Sequence, residues 1–365
     1  MAARTPWPLK FGIFMPPMHK VGLNPHLALH RDLELIASPE VFIAAASQRT
    51  RHIKLGTGVS SLPYHHPFML ADRIVMLDHL TKGRMMFGVG PGQLTTDAMI
   101  LGIDPNTQRP RMEEAFDVIM RLFRGETVNL TTEWFTCADA VLQMRPYTDF
   151  DIAVAASISP SGSKLAGRYG TGLLSIAATD PMGVELLAGH WNIVEENAAE
   201  HGHTPDRRKW RLMGPMFLAD TVAEAKEACR HGLQWIFNYL SHIIPVGAEP
   251  FPEDFDDFVD QMNDNGRGVI GTPDMAIAQI ERLIEKSGGF GTYLTMAADF
   301  APWRATLRHY ELLAEEVMPH FQHQLAPVEA AYDKVMGAGS RYVDATLTAQ
   351  FASIAAYQEE RAAKS

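Results

Sequence analysis

The stretch Gly83-Arg-Met-Met-Phe-Gly-Val-Gly-Pro-Gly92 joins a short apolar run to a loop rich in glycine. Its first part, Arg84–Gly90, is nearly continuously apolar, which is typical of a parallel strand buried on both faces. The glycines that follow can cradle a phosphate or lie flat against a ring. The stretch is not the dinucleotide fingerprint G-x-G-x-x-G, because Gln93 stands where the third glycine is required.

Similar apolar runs alternate with longer helical segments along the rest of the chain. They predict further strands over Lys10–Pro16, His52–Pro63, Asp151–Ser157, Gly170–Ala177, Arg211–Ala219 and Thr292–Ala298. This alternation predicts an α/β fold with a parallel sheet, either a closed barrel or a doubly wound sheet.

Two helix starts can be located from the sequence. Ser38-Pro39-Glu40 places a serine at the N-cap and a proline at the first helical position, and Thr272-Pro273-Asp274 has the same arrangement. The second of these helices should end at Gly288-Gly289.

Two regions differ from this alternating pattern. Residues from about Trp235 to Gly268 look loop-like and acidic, which predicts an insertion over one face of the core within a barrel domain of residues 1–321. Residues 322–365 follow the last barrel-like helix and contain a helical pattern around Ala345–Ala363. We interpret them as a C-terminal helical extension that packs on a neighbouring subunit or on the barrel exterior.

The overall composition limits the classes of function. The 365-residue chain has a formal net charge of −11, which argues against nucleic acid or an anionic membrane surface as a partner. Its two cysteines, Cys137 and Cys229, match no metal-site or redox spacing. With no signal-peptide or membrane-span pattern, we expect a soluble, cytoplasmic protein.

Two polar stretches could carry binding chemistry. In Ala156-Ser-Ile-Ser-Pro-Ser-Gly-Ser-Lys-Leu-Ala-Gly-Arg-Tyr-Gly170 a strand leads into a serine- and glycine-rich turn that opens a helix. Hydroxyls and free N–H groups at a helix start can bind an anion, although simple N-capping would need only one of the serines. In Leu55–Pro67 the glycines indicate close approach by a ligand or by another backbone, or only a strand end before a proline turn. His65 and His66 fit a turn better than a metal site.

Taken together and in order, these segments resemble the luciferase-like flavin-dependent monooxygenase family, with the closest likeness to its limonene monooxygenases. The likeness spans residues 10 to about 320, and the combination of motifs is specific where each motif alone is not. The motifs are Phe11-Gly-Ile-Phe-Met-Pro-Pro17, Leu55–Pro67, Leu77-Asp-His-Leu80, Gly83–Gly92, Gly102-Ile-Asp-Pro105, Ile158-Ser-Pro-Ser-Gly162, Gly271-Thr-Pro-Asp274 and Ser287-Gly-Gly-Phe-Gly-Thr292.

The resemblance implies a TIM-type (β/α)₈ barrel of the bacterial luciferase-like type, with a flavin at the C-terminal mouth of the strands. It implies a cis peptide bond between Gly58 and Val59, behind the isoalloxazine ring. It also implies a guanidinium at the flavin phosphate, supplied by Arg111. The implied cofactor-binding residues are Gly58, Val59, Gly90, Arg111, Ser159, Ser161 and Gly162. Residues at strand ends facing the mouth are expected to line the substrate pocket: Phe14, Met15, Ser60 and His66. The sequence assigns no catalytic residue.

The sequence departs from the family pattern after the first helix. Family members carry there a second strand and a Glu-His-His segment, whose histidine is implicated in the oxygen chemistry. Here Arg31-Asp-Leu-Glu-Leu-Ile36 runs directly into Ala37-Ser-Pro-Glu40. Most of the second βα unit is therefore missing, and a regular eight-stranded barrel cannot close without a substitute.

The resemblance implies a two-component monooxygenase that uses FMN, reduced by a separate flavin reductase, and O₂. Its substrate would be small and apolar, such as a cyclic terpene that is epoxidised. Two alternatives stay open, namely a deazaflavin (F420)-dependent oxidoreductase on the same fold and a catalytically impaired flavin-binding relative. A homodimer or homotetramer is the expected assembly.

Overall fold

The computed structural model describes residues 3–16, 39–244, 250–323 and 326–364. The strands are β1 (Lys10–Phe14), β2 (Leu55–Gly56), β3 (Ser60–Ser61), β4 (Met85–Gly90), β5 (Val128–Thr131), β6 (Thr136–Ala140), β7 (Asp151–Ala156), β8 (Gly172–Ser175), β9 (Trp210–Leu218), β10 (Val269–Gly271) and β11 (Thr292–Met296). The helices in the first half are α1 (Pro39–Arg49), α2 (Pro67–Thr81), α3 (Thr95–Ile100), α4 (Gln108–Phe123), α5 (Ser161–Tyr169) and α6 (Pro181–Glu200). Those in the second half are α7 (Val222–Cys229), α8 (Leu233–Ser241), α9 (Phe255–Asp264), α10 (Pro273–Ser287), α11 (Trp303–Leu312), α12 (Met318–Phe321), α13 (Ala326–Gly337) and α14 (Arg341–Ala362).

A single parallel sheet forms the core of the described residues. Its strand order is β1-β11-β9-β8-β7-β4-β2, with β10 beside β9 and β3 beside β4. From β2 through β11 the strands lie side by side in chain order, and the last strand, β11, lies beside the first, β1. This is the arrangement of a barrel and not of a doubly wound sheet, in which the strand order reverses. The predicted α/β architecture of the barrel type is therefore confirmed.

The described strands leave this sheet open between β1 and β2. A barrel with all eight units would have its second strand between them, so the opening lies where the sequence predicts the missing unit. The residues around that junction, 17–38, include Ser38 of the predicted cap and lie outside the described part of the chain.

Most predicted strands are found, with ends one or two residues shorter. The prediction over His52–Pro63 is wrong in detail, because two two-residue strands, β2 and β3, replace one long strand. The antiparallel hairpin of β5 and β6 and the short strand β10 were not predicted. The helix predicted after Thr272 begins at Pro273 and ends before Gly288, which has a positive φ of 74°.

The composition of the region from Trp235 to Gly268 suggested a loop. Its described residues instead contain the end of α8 and all of α9. Their buried aromatic side chains, Phe237 and Phe258, pack in one apolar cluster with Met213 of β9 and Met296 of β11. Phe14, at the end of β1, packs against the same cluster. The two helices therefore lie over the β9, β11 and β1 side of the barrel mouth.

The C-terminal residues form the helices α13 and α14. Nearly every described side chain from 327 to 364 is exposed, including large apolar ones such as Phe351 and Tyr357. None of the described helices is both long and apolar enough to cross a membrane.

Candidate functional site

The first part of the site is a wall formed where β2 and β3 meet β4. The Thr57 side chain bonds both backbone groups of Gly88, since its hydroxyl donates to the Gly88 carbonyl at 2.7 Å and accepts from its N–H at 3.0 Å. A Cβ on Gly88 would stand 2.2 Å from the Thr57 carbonyl oxygen, so a side chain cannot be placed there. Close approach of the neighbouring backbone therefore explains this glycine.

The predicted cis peptide bond between Gly58 and Val59 is confirmed and lies on this wall. A Cβ on Gly90 would stand 2.6 Å from a Val59 methyl carbon, so these two predicted cofactor-binding residues are in contact across the strands. On the other side of the bond, the Phe14 ring lies against Gly58.

Ser60 and Met15 directly follow Val59 and Phe14 in the chain. Ser60 is 2% exposed, and its hydroxyl has no hydrogen-bond partner among the described residues. Met15 follows the last residue of β1 and is half-buried. Phe14 therefore contacts the cis peptide bond, Ser60 follows it directly, and Met15 follows Phe14 at the end of β1. That these residues line a substrate pocket stays a prediction.

The second part of the site is the turn between β7 and α5. The hydroxyls of Ser159 and Ser161 are 2.9 Å apart and hydrogen-bonded to each other. Pro160 holds the N-cap position of α5, and no side chain caps the helix there. The serines are thus not used for N-capping, which leaves the first-turn N–H groups of α5 for an anion.

Ala155 connects the two parts. A Cβ on Gly90 would stand 3.6 Å from the Ala155 Cβ, and a Cβ on Gly162 would stand 2.2 Å from the Ala155 carbonyl oxygen. Gly162 therefore lets the first turn of α5 approach β7 closely. The wall and the serine turn are separated by a single strand.

Arg111 and His66 lie against the hairpin of β5 and β6. The Arg111 guanidinium is 5.5 Å from the centre of the Trp134 ring, whose N–H donates to Glu114 at 2.7 Å. His66 is exposed, and its Nε2 lies 3.2 Å from the Thr136 carbonyl oxygen. No described hydrogen bond or ion pair joins either residue to the serine turn, so these two predicted site residues stand apart from the others.

Helix packing nevertheless puts Arg111 at the same end as the serines. The Tyr169 hydroxyl of α5 donates to Asp117 of α4 at 3.0 Å. Arg111 precedes Asp117 by six positions, about 9 Å along α4, and Ser161 precedes Tyr169 by eight positions, about 12 Å along α5. Both residues therefore lie toward the N-termini of their helices.

The glycine-rich loop after β4 is held by Gln108 and Tyr64. The Gln108 amide donates to the Tyr64 hydroxyl at 2.9 Å and to the Pro91 carbonyl at 3.0 Å. Burial, and after it the Asp97 carboxylate, raise the pKa of Tyr64 above its ordinary value, so the hydroxyl stays protonated at neutral pH. The loop is thereby fixed beside Gly90.

Sequence reasoning missed Trp134 and the buried His190 and Ser163 behind the serine turn. The alternation of apolar residues at Val128 and Leu130, and again at Phe135 and Cys137, was a usable signal for the hairpin. No local pattern marks His190, because it reaches the turn only through the packing of α6.

Comparison with known proteins adds three similarities. Residues 24–289 match the family model described as luciferase-like monooxygenase. The chain is 50% identical to limonene 1,2-monooxygenase of Rhodococcus erythropolis, over 96% of this chain and 97% of that one. It is 39% identical to 4-hydroxyprotoasukamycin monooxygenase of Streptomyces nodosus subsp. asukaensis, over 89% of this chain and 95% of the other.

A solved structure has the same fold. It is the oxygenating constituent of 3,6-diketocamphane monooxygenase from Pseudomonas putida in complex with FMN, with a TM-score of 0.65 and 23% identity. The match covers 86% of this chain and 98% of that one. The alignment with the Rhodococcus protein spans 377 positions, more than the 365 residues of this chain, so it opens gaps in this chain.

Proposed function

Because the chain belongs to the luciferase-like monooxygenase family and is a flavin-dependent monooxygenase, we propose that it is the oxygenase component of a two-component system. It takes reduced FMN from a separate flavin reductase and uses O₂ to oxygenate a small apolar substrate. A cyclic terpene alkene converted to an epoxide is the substrate class and reaction we favour. The 50% identity to a limonene 1,2-monooxygenase over nearly the whole chain is the observation that carries this proposal.

The serine turn fits the phosphate end of FMN. It combines two hydroxyls that do not cap the helix, a close approach of α5 to the sheet at Gly162, and the N–H groups of the first helical turn. Ser159, Ser161 and Gly162 would hold the phosphate, and Arg111 would supply the positive charge from the neighbouring helix.

The glycine wall fits the ring end. Gly58, Val59 and Gly90 would lie behind the isoalloxazine, one strand away from the serine turn. Ser60 offers a buried hydroxyl that needs a partner, which favours a polar ligand edge at this place. These features suit a flavin with a phosphate tail.

A bound reduced flavin supplies the electrons that activate O₂ for insertion into the substrate. The protein's own residues bind and orient both reactants and exclude water. Phe14 and Met15 would provide apolar surface for the substrate beside the cis peptide bond, and Ser60 would provide a buried polar group there. His66, which lies against the hairpin, would contact the substrate only at the outer rim. The buried aromatic cluster beneath α8 and α9 would give that side of the mouth an apolar wall.

The test is turnover with NADH, a flavin reductase, FMN and a cyclic terpene under ¹⁸O₂. We expect one labelled oxygen atom in the epoxide product. Turnover only with reduced F420, without oxygen uptake, would instead establish a deazaflavin-dependent oxidoreductase.

A second candidate is a flavin-binding relative that consumes oxygen without oxygenating a substrate. The opening of the described sheet between β1 and β2 favours it, because no described strand closes the wall there. In the same assay this candidate predicts hydrogen peroxide and no labelled product. For either candidate we propose a homodimer or homotetramer, with residues 322–365 as an appended arm.

A further inference from the structure

His190 lies in the middle of α6, directly behind the serine turn. It is 4% exposed, and its Nε2 lies 3.2 Å from the carbonyl oxygen of Ile158. Ile158 immediately precedes Ser159, so this bond fixes the backbone from which both serines project. A neutral imidazole that donates from Nε2 carries a lone pair on Nδ1.

Two polar atoms at this place lack a partner within the described ranges. They are Nδ1 of His190 and the hydroxyl oxygen of Ser163, which is fully buried. A buried polar atom left unpaired is costly, so such atoms are rare unless a ligand or water completes them.

The packing of α5 on α6 brings these two residues to the same level. A Cβ on Gly167 would stand 2.5 Å from the Val194 carbonyl oxygen, so Gly167 of α5 faces Val194 of α6. Ser163 and His190 each precede them by four positions, about one helical turn. Both residues therefore lie at the level of the first turn of α5, and each carries a buried polar atom without a partner among the described residues.

We propose that His190, together with Ser163, is a positioning element for the phosphate end of the flavin. His190 holds the Ile158 carbonyl through Nε2 and so fixes the backbone of the turn, and the Ser163 hydroxyl, which can donate, completes the hydrogen bonding behind the turn when the phosphate is bound. This inference rests on the proposed function, since it assigns two further residues to the same cofactor site. It predicts that changes at His190 and Ser163 weaken the binding of the phosphate and have little effect on the binding of the ring.

The experiment compares the affinities of full-length variants for FMN and for riboflavin, which has the ring and ribityl chain but no phosphate. For His190→Leu we expect FMN affinity to fall roughly three- to tenfold, the size expected for losing the hydrogen bond that fixes the backbone of the serine turn, and riboflavin affinity to change less than about twofold. His190→Gln, whose amide can donate to Ile158, should restore most of the FMN affinity. Ser163→Ala should weaken the binding of FMN and leave that of riboflavin nearly unchanged. It tests the proposal even if His190→Leu does not fold.

The control is Val194→Ala, which removes buried packing one turn along α6 and should not change the ratio of the two affinities. Equal losses for FMN and riboflavin in the His190 and Ser163 variants would overturn the inference, because they would indicate packing alone. Unchanged affinities would overturn it as well. A wild-type protein that binds neither flavin would refute the proposed function itself, and that outcome is distinct from both.

Discussion

The ring of Phe14 lies against Gly58, where a Cβ would stand only 3.0 Å from the Phe14 Cε2 atom. Phe14 ends β1, and Gly58 lies between β2 and β3, so the contact joins the two ends of the described sheet. At the level of the mouth, an aromatic side chain thus spans the opening between the described strands β1 and β2.

Replacing Phe14 with Ala should therefore loosen both ends of the sheet. Phe14 is only half-buried, so we expect a loss of about 1–3 kcal/mol in the free energy of unfolding, below the cost of a fully buried phenylalanine. Urea denaturation measures this. Ile13→Ala is the control, because Ile13 is 50% exposed and should change stability little. Equal effects of the two substitutions would contradict a bridging role for Phe14.

The wall makes a second prediction about stability. In Gly88→Ala the new Cβ meets the rigid backbone carbonyl of Thr57 at 2.2 Å, so we expect destabilisation of at least about 1–3 kcal/mol from overpacking. Gly189→Ala is the matched control, since Gly189 lies within α6 with open space around its Cβ position. That substitution should stabilise the helix by up to about 1 kcal/mol. A tolerated Gly88→Ala would show that β2 and β4 can separate easily.

The third prediction concerns the charge at the phosphate. Arg111→Ala should weaken FMN binding by about tenfold or more, because a charge-assisted contact contributes roughly 1.5–3 kcal/mol. Arg109→Ala, an exposed position in the same helix, removes the same charge and should leave the affinity unchanged. Titration with reduced FMN gives both values. If Arg111→Ala binds FMN like the wild type, Arg111 serves the hairpin through Trp134 and not the cofactor.

The sequence predicted the fold well because apolar runs of parallel strands are continuous and local. Arg84–Gly90 and Thr292–Ala298 became β4 and β11 with only small end corrections. Lys10–Pro16 likewise became β1, which ends at Phe14. The region from Trp235 to Gly268 misled, because its acidic residues suggested a loop. In the structure Phe255 and Phe258 bury one face of α9 while its acidic residues stay on the other.

The site was only partly predictable for a related reason. The cis bond at Gly58 and the serines of the turn follow from motifs that are continuous in sequence. Contacts such as Thr57 with Gly88, or His190 with Ile158, join distant segments and depend on helix and strand packing. Sequence patterns carry no direct signal for them.

The C-terminal arm makes a prediction about assembly. Isolated helices are marginal in water, since most helical stability comes from packing of an apolar face. In α14 Leu347, Phe351 and Ile354 recur on one face and are all exposed. We expect light scattering to give a dimer or tetramer for the wild type and a smaller species for the double variant Phe351→Glu with Ile354→Glu.

The control for this prediction uses the opposite face of the same helix. Ala345→Glu with Ala352→Glu adds the same charge and should leave the mass unchanged. A monomeric wild type, or a Phe351 and Ile354 variant with the full mass, would exclude the arm as an assembly element.

The last prediction concerns the coupling of oxygen uptake to product. The described sheet is open between β1 and β2, and a site that admits water wastes reducing power as hydrogen peroxide. During NADH-driven turnover with a reductase, we expect most of the oxygen consumed to appear as peroxide and only a small part as oxygenated terpene. Insertion of a family-like strand and Glu-His-His segment between Ile36 and Ala37 should shift the yield toward product. An insertion of the same length with Glu-Ala-Ala separates the two effects, since it restores the wall without the histidines. Tight coupling of oxygen uptake to epoxide in the unaltered chain would show that the missing unit is dispensable, and that Phe14 and its neighbours keep water out without it.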